Sequence, residues 1–548
     1  MTPSPRQPAS EFTPKLITTF REGYGLGQLR ADVVAGLTVA IVALPLSMAI
    51  AIASGVGPER GLFTAIVGGF IVSLLGGSRF QIGGPAGAFI VLVAACVTQT
   101  GAAGLTLAVL LSGAMLSVLA LLRLGSYVRF IPYPVTLGFT AGIAVIIFAS
   151  QIKDLFGLSL LGEPAAILPK LAALWEARAS LNASAAAVAI ATIALIVGIK
   201  RISPGLPNML IAVAVAGLAS FALQLPVETI YSRFGDLPRS PPAPSLPPLS
   251  MDLVMVALPW AVSFTLLGAI ESLLSAVVAD GMSGRRHRPN AELLAQGVAN
   301  IASALFGGIC VTGTIARTAT NVRAGSKGPV SGMIHAVFVL LFMLIAAPLA
   351  GYIPLAALAG LLAVVAWNMA EKAEFWHCLR ASRADAVVLL VTFGLVVFRD
   401  LSEGIVAGFA LGGLVFIHRM SEAASVEAPV VTEPLSQFPD LAVHRLHGPY
   451  FFGAAARLGA ALDQLAEAPR GLAVDFTDVP FIDSTGAHSF ALLAQKMARK
   501  HEILYLIGAR PEVAKALKQA GLAAPEACFV DSLAELNSAD SQPRITKA

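Results

Sequence analysis

Two charged residues lie inside runs that are otherwise apolar. Arg317 follows Thr312-Gly313-Thr314-Ile315-Ala316, and Glu271 sits within Gly268-Ala269-Ile270-Glu271-Ser272-Leu273-Leu274. A charge at the centre of a bilayer costs about 2.5–3.5 kcal/mol on insertion scales, so it normally faces a wet or paired interior and marks function. Arg317 carries a permanent positive charge suited to an anion; its other reading is a structural counter-ion, with Glu271 as the natural partner. Glu271 is expensive to keep ionised away from water. It can therefore take up a proton together with an anion and offset the anion's charge, and a fixed salt bridge is the alternative. His335 could also relay protons, although a hydrogen-bonded packing histidine is the expected role.

The elements that must hold these groups are long apolar segments. The chain has 548 residues, 56% hydrophobic and only 13% charged, against about 25% charged in a soluble domain. This excludes a soluble enzyme for most of the length and leaves a polytopic membrane protein. Fourteen segments of roughly spanning character run at about 31–55, 61–77, 85–99, 104–122, 134–152, 183–199, 207–225, 252–279, 291–309, 313–323, 330–350, 354–370, 385–398 and 402–418. An even count puts both termini on one side. With the termini inside, the inner loops and tail collect 18 Lys and Arg and the outer loops seven, a positive-inside bias that predicts cytoplasmic termini and a cell (inner) membrane location. Residues 1–30 are polar and rich in proline, so no cleavable signal peptide is expected. The four cysteines have no metal-ligand spacing and read as small buried hydrophobes. No metal, cofactor or nucleic-acid partner is expected.

The Pro-rich stretch 226–250 separates seven segments from seven more, so it is either a plain linker or the boundary of an inverted repeat, about 31–225 and 252–420. The third segment of each half is the abnormal one. One begins after Gly83-Gly84-Pro85-Ala86-Gly87, the other after Gly307-Gly308 and Thr312-Gly313-Thr314. Such openings resist helix and are tolerated at membrane depth only where they line a cavity or are buried in protein. Half-helices starting there would aim free N–H groups and about +0.5 elementary charge at one point from two sides, which is an anion site.

Leu44-Pro45-Leu46-Ser47-Met48-Ala49, Ile52-Ala53-Ser54-Gly55, Gly76-Gly77-Ser78-Arg79 and Gly83-Gly84-Pro85-Ala86 resemble the signature of the SulP family of sulfate-permease-type anion transporters. Gly268 to Ser272, Ala279-Asp280-Gly281-Met282, Ala316-Arg317-Thr318 and Ala366-Trp367-Asn368-Met369 look like its bacterial branch of bicarbonate and C4-dicarboxylate transporters. The resemblance covers about residues 25–535. It implies a seven-plus-seven inverted repeat, a core domain moving elevator-fashion against a gate domain, and a homodimer. Carried onto this chain, the anion pocket would comprise Ser47, Ala86, Gly87, Ala88, Ile315, Ala316 and Arg317. Several relatives have Gln after the first-helix Pro where this chain has Leu46, which removes one polar contact. Sodium-coupled bicarbonate members tend to carry Asp, then Thr four residues later, in the eighth helix; here Glu271 and Ser275 stand instead, which favours protons over sodium.

Residues 421–548 net −4 and have soluble composition. Strand-like runs Leu472 to Phe476 and Ile503 to Ile507 alternate with helical Gly486 to Lys500 and Pro511 to Ala520, a small α/β domain expected at 438–536 with a tail at 537–548. Phe481-Ile482-Asp483-Ser484-Thr485-Gly486 resembles the loop of STAS domains. A phosphate on Ser484 or Thr485 would alter binding of a cytoplasmic protein partner, and a plain N-cap hydroxyl is the alternative. The leading expectation is a secondary active anion transporter. An anion-sensing receptor signalling through STAS and a nucleobase permease of related architecture are the competing readings.

Overall fold

The computed structural model describes residues 11–128, 132–160, 166–203, 205–399, 401–426, 441–455 and 472–532, with positions 164 and 535. The tail expected at 537–548 and residues 456–471 of the expected C-terminal domain lie outside the described residues. The chain divides into two compact units, Met1–Phe409 and Ala410–Ala548.

Each of the fourteen apolar runs has a helical counterpart. The first half contains α1 (Leu26–Ala53), α2 (Pro58–Leu75, with a π turn at Thr64–Gly68), then the Ile90–Leu121 run, which Gly101 at φ 68° and ψ −174° breaks into α3 (90–100) and α4 (102–121). It continues with α5 (Tyr133–Phe156), α6 (Ala183–Ile202) and α7 (Asn208–Ala222). The second half contains α8 (Met251–Ser283), α9 (Pro289–Leu305), α10 (Ile315–Arg323), α11 (Val330–Ala350), α12 (Leu355–Met369), α13 (Arg383–Phe398) and α14 (Leu401–Glu422). Among the described residues, nine helices are long and apolar enough to cross a membrane, with α3 and α4 counted together. Starts follow local chemistry. Asn182 caps α6 by accepting from Ser184 and Ala185 N–H, Ser250 caps α8, and Pro58 and Pro289 occupy the first turns of α2 and α9, where a missing N–H costs nothing.

Helix contacts reveal the repeat. α1 packs on α11 as α8 packs on α4; α4 packs on α9 as α11 packs on α2; α5 packs on α13 as α12 packs on α6. Exchanging each helix for the one seven places away maps these contacts onto themselves, so the boundary falls between α7 and α8 and stretch 226–250 joins two equivalent halves. The same contacts sort the helices into two bundles. One holds α1 to α4 with α8 to α11, the other α5 to α7 with α12 and α13. Small residues allow close approach within the first bundle: a Cβ on Gly113 of α4 would lie 2.7 Å from the Gly297 carbonyl of α9, and one on Gly297 the same distance from that of Gly113. Backbones that close leave no room for side chains.

Two-residue strands precede the third helix of each half. β1 (Gly83–Gly84) pairs antiparallel with β2 (Thr312–Gly313), Gly83 opposite Gly313 and Gly84 opposite Thr312. Among the described residues, the second unit holds a five-stranded sheet in sequential order: β3 (Ser425–Val426), β4 (Ala442–His447), β5 (Leu472–Asp478), β6 (Leu504–Ile507) and β7 (Ala527–Val530). The β3–β4 pair is antiparallel, and β4–β5, β5–β6 and β6–β7 are parallel. α15 (Ser484–Ala498) and α16 (Pro511–Gln519) contribute Phe490, Met497, Val513 and Leu517 to its core, as the alternation of strand and helix predicts.

Candidate functional site

The β1–β2 pairing sets the geometry. Because the strands are antiparallel and each leads into a helix, α3 and α10 leave the crossing in opposite directions and both have their N-terminal ends at it. α3 is preceded by a 3-10 turn at Gly87–Phe89 capped at Ala86, and α10 begins at Ile315 after Thr314. Side chains from both halves hold the two openings. Thr314 donates to the Ile82 carbonyl through its N–H (3.0 Å) and its hydroxyl (3.2 Å), Ile82 N–H donates to Thr318 Oγ1 (3.1 Å), and Asn321 Nδ2 donates to the Phe80 carbonyl (2.9 Å). On the other side, Asn300 of α9 brackets Val311, donating to its carbonyl at 2.8 Å and accepting from its N–H at 2.9 Å. Ile309 N–H donates to Thr64 Oγ1 in the π turn of α2 (2.7 Å). Non-helical backbone is thus satisfied internally, as burial requires.

Arg317 lies one turn into α10 and is 2% exposed. Its Nη2 donates to the Pro85 carbonyl at 2.9 Å, so it spans from one half-helix opening to the other. A Cβ on Gly84 would stand 2.3 Å from Nη1, so only glycine leaves room for the guanidinium there. Nε and Nη1 are buried without a hydrogen-bond partner. Unused donors of a buried guanidinium carry a desolvation cost that an anion would remove.

The predicted site residues divide by how close the structure brings them. Ala86, Gly87, Ala88, Ile315, Ala316 and Arg317 gather at the crossing; Ala86, Ala88 and Arg317 are buried, Gly87 and Ile315 half-buried, Ala316 exposed. Ser47 is fully buried on α1, a helix that packs against α10, and its hydroxyl has no hydrogen-bond partner. Ser275 of α8 donates to Thr318 Oγ1 at 3.0 Å, and Thr312 Oγ1 donates to the Gly268 carbonyl at 3.3 Å. The stretch carrying Glu271 therefore runs alongside β2 and α10. Glu271 Oε2 is buried and unpartnered, and Arg317 acts on this carboxyl electrostatically without an ion pair between them among the described residues. His335 is fully buried on α11, both ring nitrogens without a partner, so the hydrogen bond expected of a packing histidine is not formed. Among the described residues, no three His, Cys, Asp or Glu gather to hold a metal ion.

Ser484 and Thr485 are exposed in the first turn of α15. The cap is Asp483, not Ser484: its Oδ1 accepts from Gly486 N–H at 2.7 Å and its Oδ2 from Phe452 N–H at 3.1 Å.

Three groups had no role assigned to them from the sequence alone. Thr318 bridges β1 to α8, Asn300 brackets β2, and Glu292, fully buried on α9, accepts from Ser78 N–H and Gln296 Nε2, each at 3.0 Å. For two of them the signal was present as spacing: Glu292 and Asn300, with Gln296 between, recur every four residues, one polar stripe on a helix face.

A paired-half membrane bundle with two half-helix N-termini meeting at a buried arginine defines a transporter-type fold. Residues 29–392 match the sulfate permease family and residues 434–533 the STAS domain, and the chain belongs to that family. It is 37% identical to the Bacillus subtilis protein YvdB over 91% of this chain and 95% of that protein. It is 27% identical to the bicarbonate transporter BicA of Picosynechococcus over 93% of this chain and 94% of BicA. Its fold is that of the murine Solute Carrier 26 family member A9 anion transporter in the inward-facing state, with a TM-score of 0.84 at 17% identity over 97% of this chain and 96% of the other.

Proposed function

We propose that the chain is a secondary active transporter of sulfate, bicarbonate or a C4-dicarboxylate, holding the anion between the N-terminal ends of α3 and α10. The observation that carries this reading is Arg317, buried where the two ends meet with two donor atoms unused. The family description and the name of BicA support the substrate class. A neutral nucleobase would leave the guanidinium uncompensated. Ser47 and the backbone at Ala86 to Ala88 and Ile315 to Ala316 complete the pocket.

Glu271, unpartnered and close enough to feel Arg317, takes up a proton as the anion binds, with Ser275 positioning the neighbouring Thr318; sodium is the less favoured ion. The first bundle then slides elevator-fashion against the second. An open apolar cavity of about 520 Å³ lies where the two meet, lined by Leu44 and Met48 of α1, Val213 of α7 and Phe342 of α11. The protein works as a homodimer in the cell membrane with both termini cytoplasmic, and a cytoplasmic partner reads the STAS loop at Ser484 and Thr485. Uptake by the purified chain in liposomes, challenged with a panel of competing anions under an imposed pH gradient, tests the reading; no flux of any of the three anions sinks it. Glu271→Gln should abolish acid-stimulated uptake, and an unchanged pH profile removes Glu271 from coupling.

A further inference from the structure

α8 ends at Ser283, and the chain turns at Gly284 (φ 68°) into four basic residues, Arg285-Arg286-His287-Arg288, before α9 begins. The arginines have different surroundings. Arg288 faces inward, donating to the Thr13 carbonyl at 2.6 Å and Thr18 Oγ1 at 3.0 Å, where it ties down the short N-terminal helix Lys15–Arg21. Arg285 is 3.8 Å from Glu22, which is already bonded to Arg79 at 2.5 Å. Arg286 has no hydrogen bond or ion pair among the described residues and is exposed.

Arg285 and Arg286 form the rim of a cavity of about 670 Å³ whose floor is Leu273, Leu274 and Val277 of α8. The carboxylate in its wall, Asp280, is committed elsewhere: its Oδ2 accepts from His287 N–H at 3.0 Å and lies 2.6 Å from His287 Nδ1. Gly125 also lines the cavity, and close to these walls along the chain stand exposed apolar side chains: Leu121 and Leu122 at the end of α4, shortly before Gly125, and Met282 at the end of α8. Apolar floor, cationic rim and apolar flank follow the order of an acyl chain, a phosphodiester and the neighbouring lipid. A soluble anion would have no use for the floor, and a neutral lipid none for the rim. Lys15, Arg79 and Arg123 lie at the same end of the bundle, so the local field favours negative headgroups.

We infer that this cavity is a binding site for an anionic phospholipid, with the phosphate on Arg285 and Arg286 and the first methylenes on Leu273, Leu274 and Val277. The site holds a lipid against the C-terminal end of α8, the helix that carries Glu271.

The test uses the full chain, delipidated in non-ionic detergent, with thermal unfolding and native mass spectrometry as readouts. Dioleoylphosphatidylglycerol should raise the melting temperature and stay bound through desolvation, while dioleoylphosphatidylcholine and inorganic phosphate should do neither. Each arginine near a charged membrane surface contributes about 1 kcal/mol, so Arg286→Gln should weaken phosphatidylglycerol binding roughly fivefold and the double replacement with Arg285→Gln roughly 25-fold. Val277→Trp, at a position already 47% exposed, should block binding by filling the floor with both arginines intact. A shift reproduced by inorganic phosphate would overturn the proposal in favour of a soluble-anion pocket. Equal retention of the neutral lipid, or full retention by the double variant, would overturn it in favour of unspecific lipid contact.

Discussion

The two helix bundles of the first unit differ in what their buried polar side chains do. In the bundle of α5 to α7, α12 and α13, Gln151, Thr192 and Thr392 each donate to the carbonyl four residues back in their own helix. Such bonds satisfy the side chain and position nothing else. In the bundle of α1 to α4 and α8 to α11, Ser54 and Thr265 make the same kind of bond, but other buried polar groups bridge separate segments. Thr318 joins Ile82 and Ser275, Glu292 takes Ser78, and Asp32 of α1 accepts the N–H groups of Lys327 and Gly328 and the hydroxyls of Ser326 and Tyr24. The difference follows from backbone. Continuous helices satisfy their own N–H and C=O groups, whereas the openings before α3 and α10 and the loops at Ser78 and at Lys327 and Gly328 leave theirs to be met by side chains.

Breaking a bridge should therefore cost far more in the first bundle than removing a polar side chain from the second. The largest effect is expected for Asn300→Leu, which strands the N–H and carbonyl of Val311. At about 1–3 kcal/mol per buried unsatisfied group, the variant should show little folded protein by size-exclusion chromatography and thermal unfolding in detergent. Arg317→Gln separates site from scaffold. Losing a buried charge partner costs about 2 kcal/mol or more, roughly 30-fold in anion affinity, while thermal stability should change little, because the lost bond to the Pro85 carbonyl is offset by no longer burying a charge; a large fall in both would make Arg317 structural.

A smaller effect should appear at the N-terminal segment. Lys15, half-buried, is lowered to about 8 by burial, with Arg288 and Arg79 adding to it against the weaker pull of Asp280 and Glu22. The undocked segment then binds more protons between about 8 and the ordinary lysine value. Docking should strengthen as pH rises through 8 and level off above that value, seen as slower proteolysis within residues 11–25. Lys15→Met should remove this dependence. The smallest effect is Thr392→Val, which deletes only a bond within one helix and should shift the melting temperature by about 1 °C or less.

Membrane class, the fourteen apolar runs, the special openings before α3 and α10, and the α/β character of the second unit were legible from apolar run lengths and Gly/Pro placement, because these are local properties. Arg317 and Glu271 stood out because charge inside an apolar run is conspicuous. Asp32 and Glu292 did not. Asp32 falls at the edge of its run and reads as a surface charge, and Glu292 sits in a segment whose polar stripe repeats at helical spacing without showing what it faces.

The amino-acid sequence by itself determined where backbone could not be helical and which charges had to be sheltered, since both follow from residue type and neighbours along the chain. Only the tertiary structure decided the antiparallel pairing of Gly83 with Gly313 that sets two helix ends together. It also decided that Arg317 reaches the Pro85 carbonyl instead of pairing with Glu271, and that Asp483 rather than Ser484 caps α15. Each of these depends on which distant groups arrive within about 3 Å, and hydrogen-bond energy falls too steeply with distance and angle for spacing along the chain to settle it.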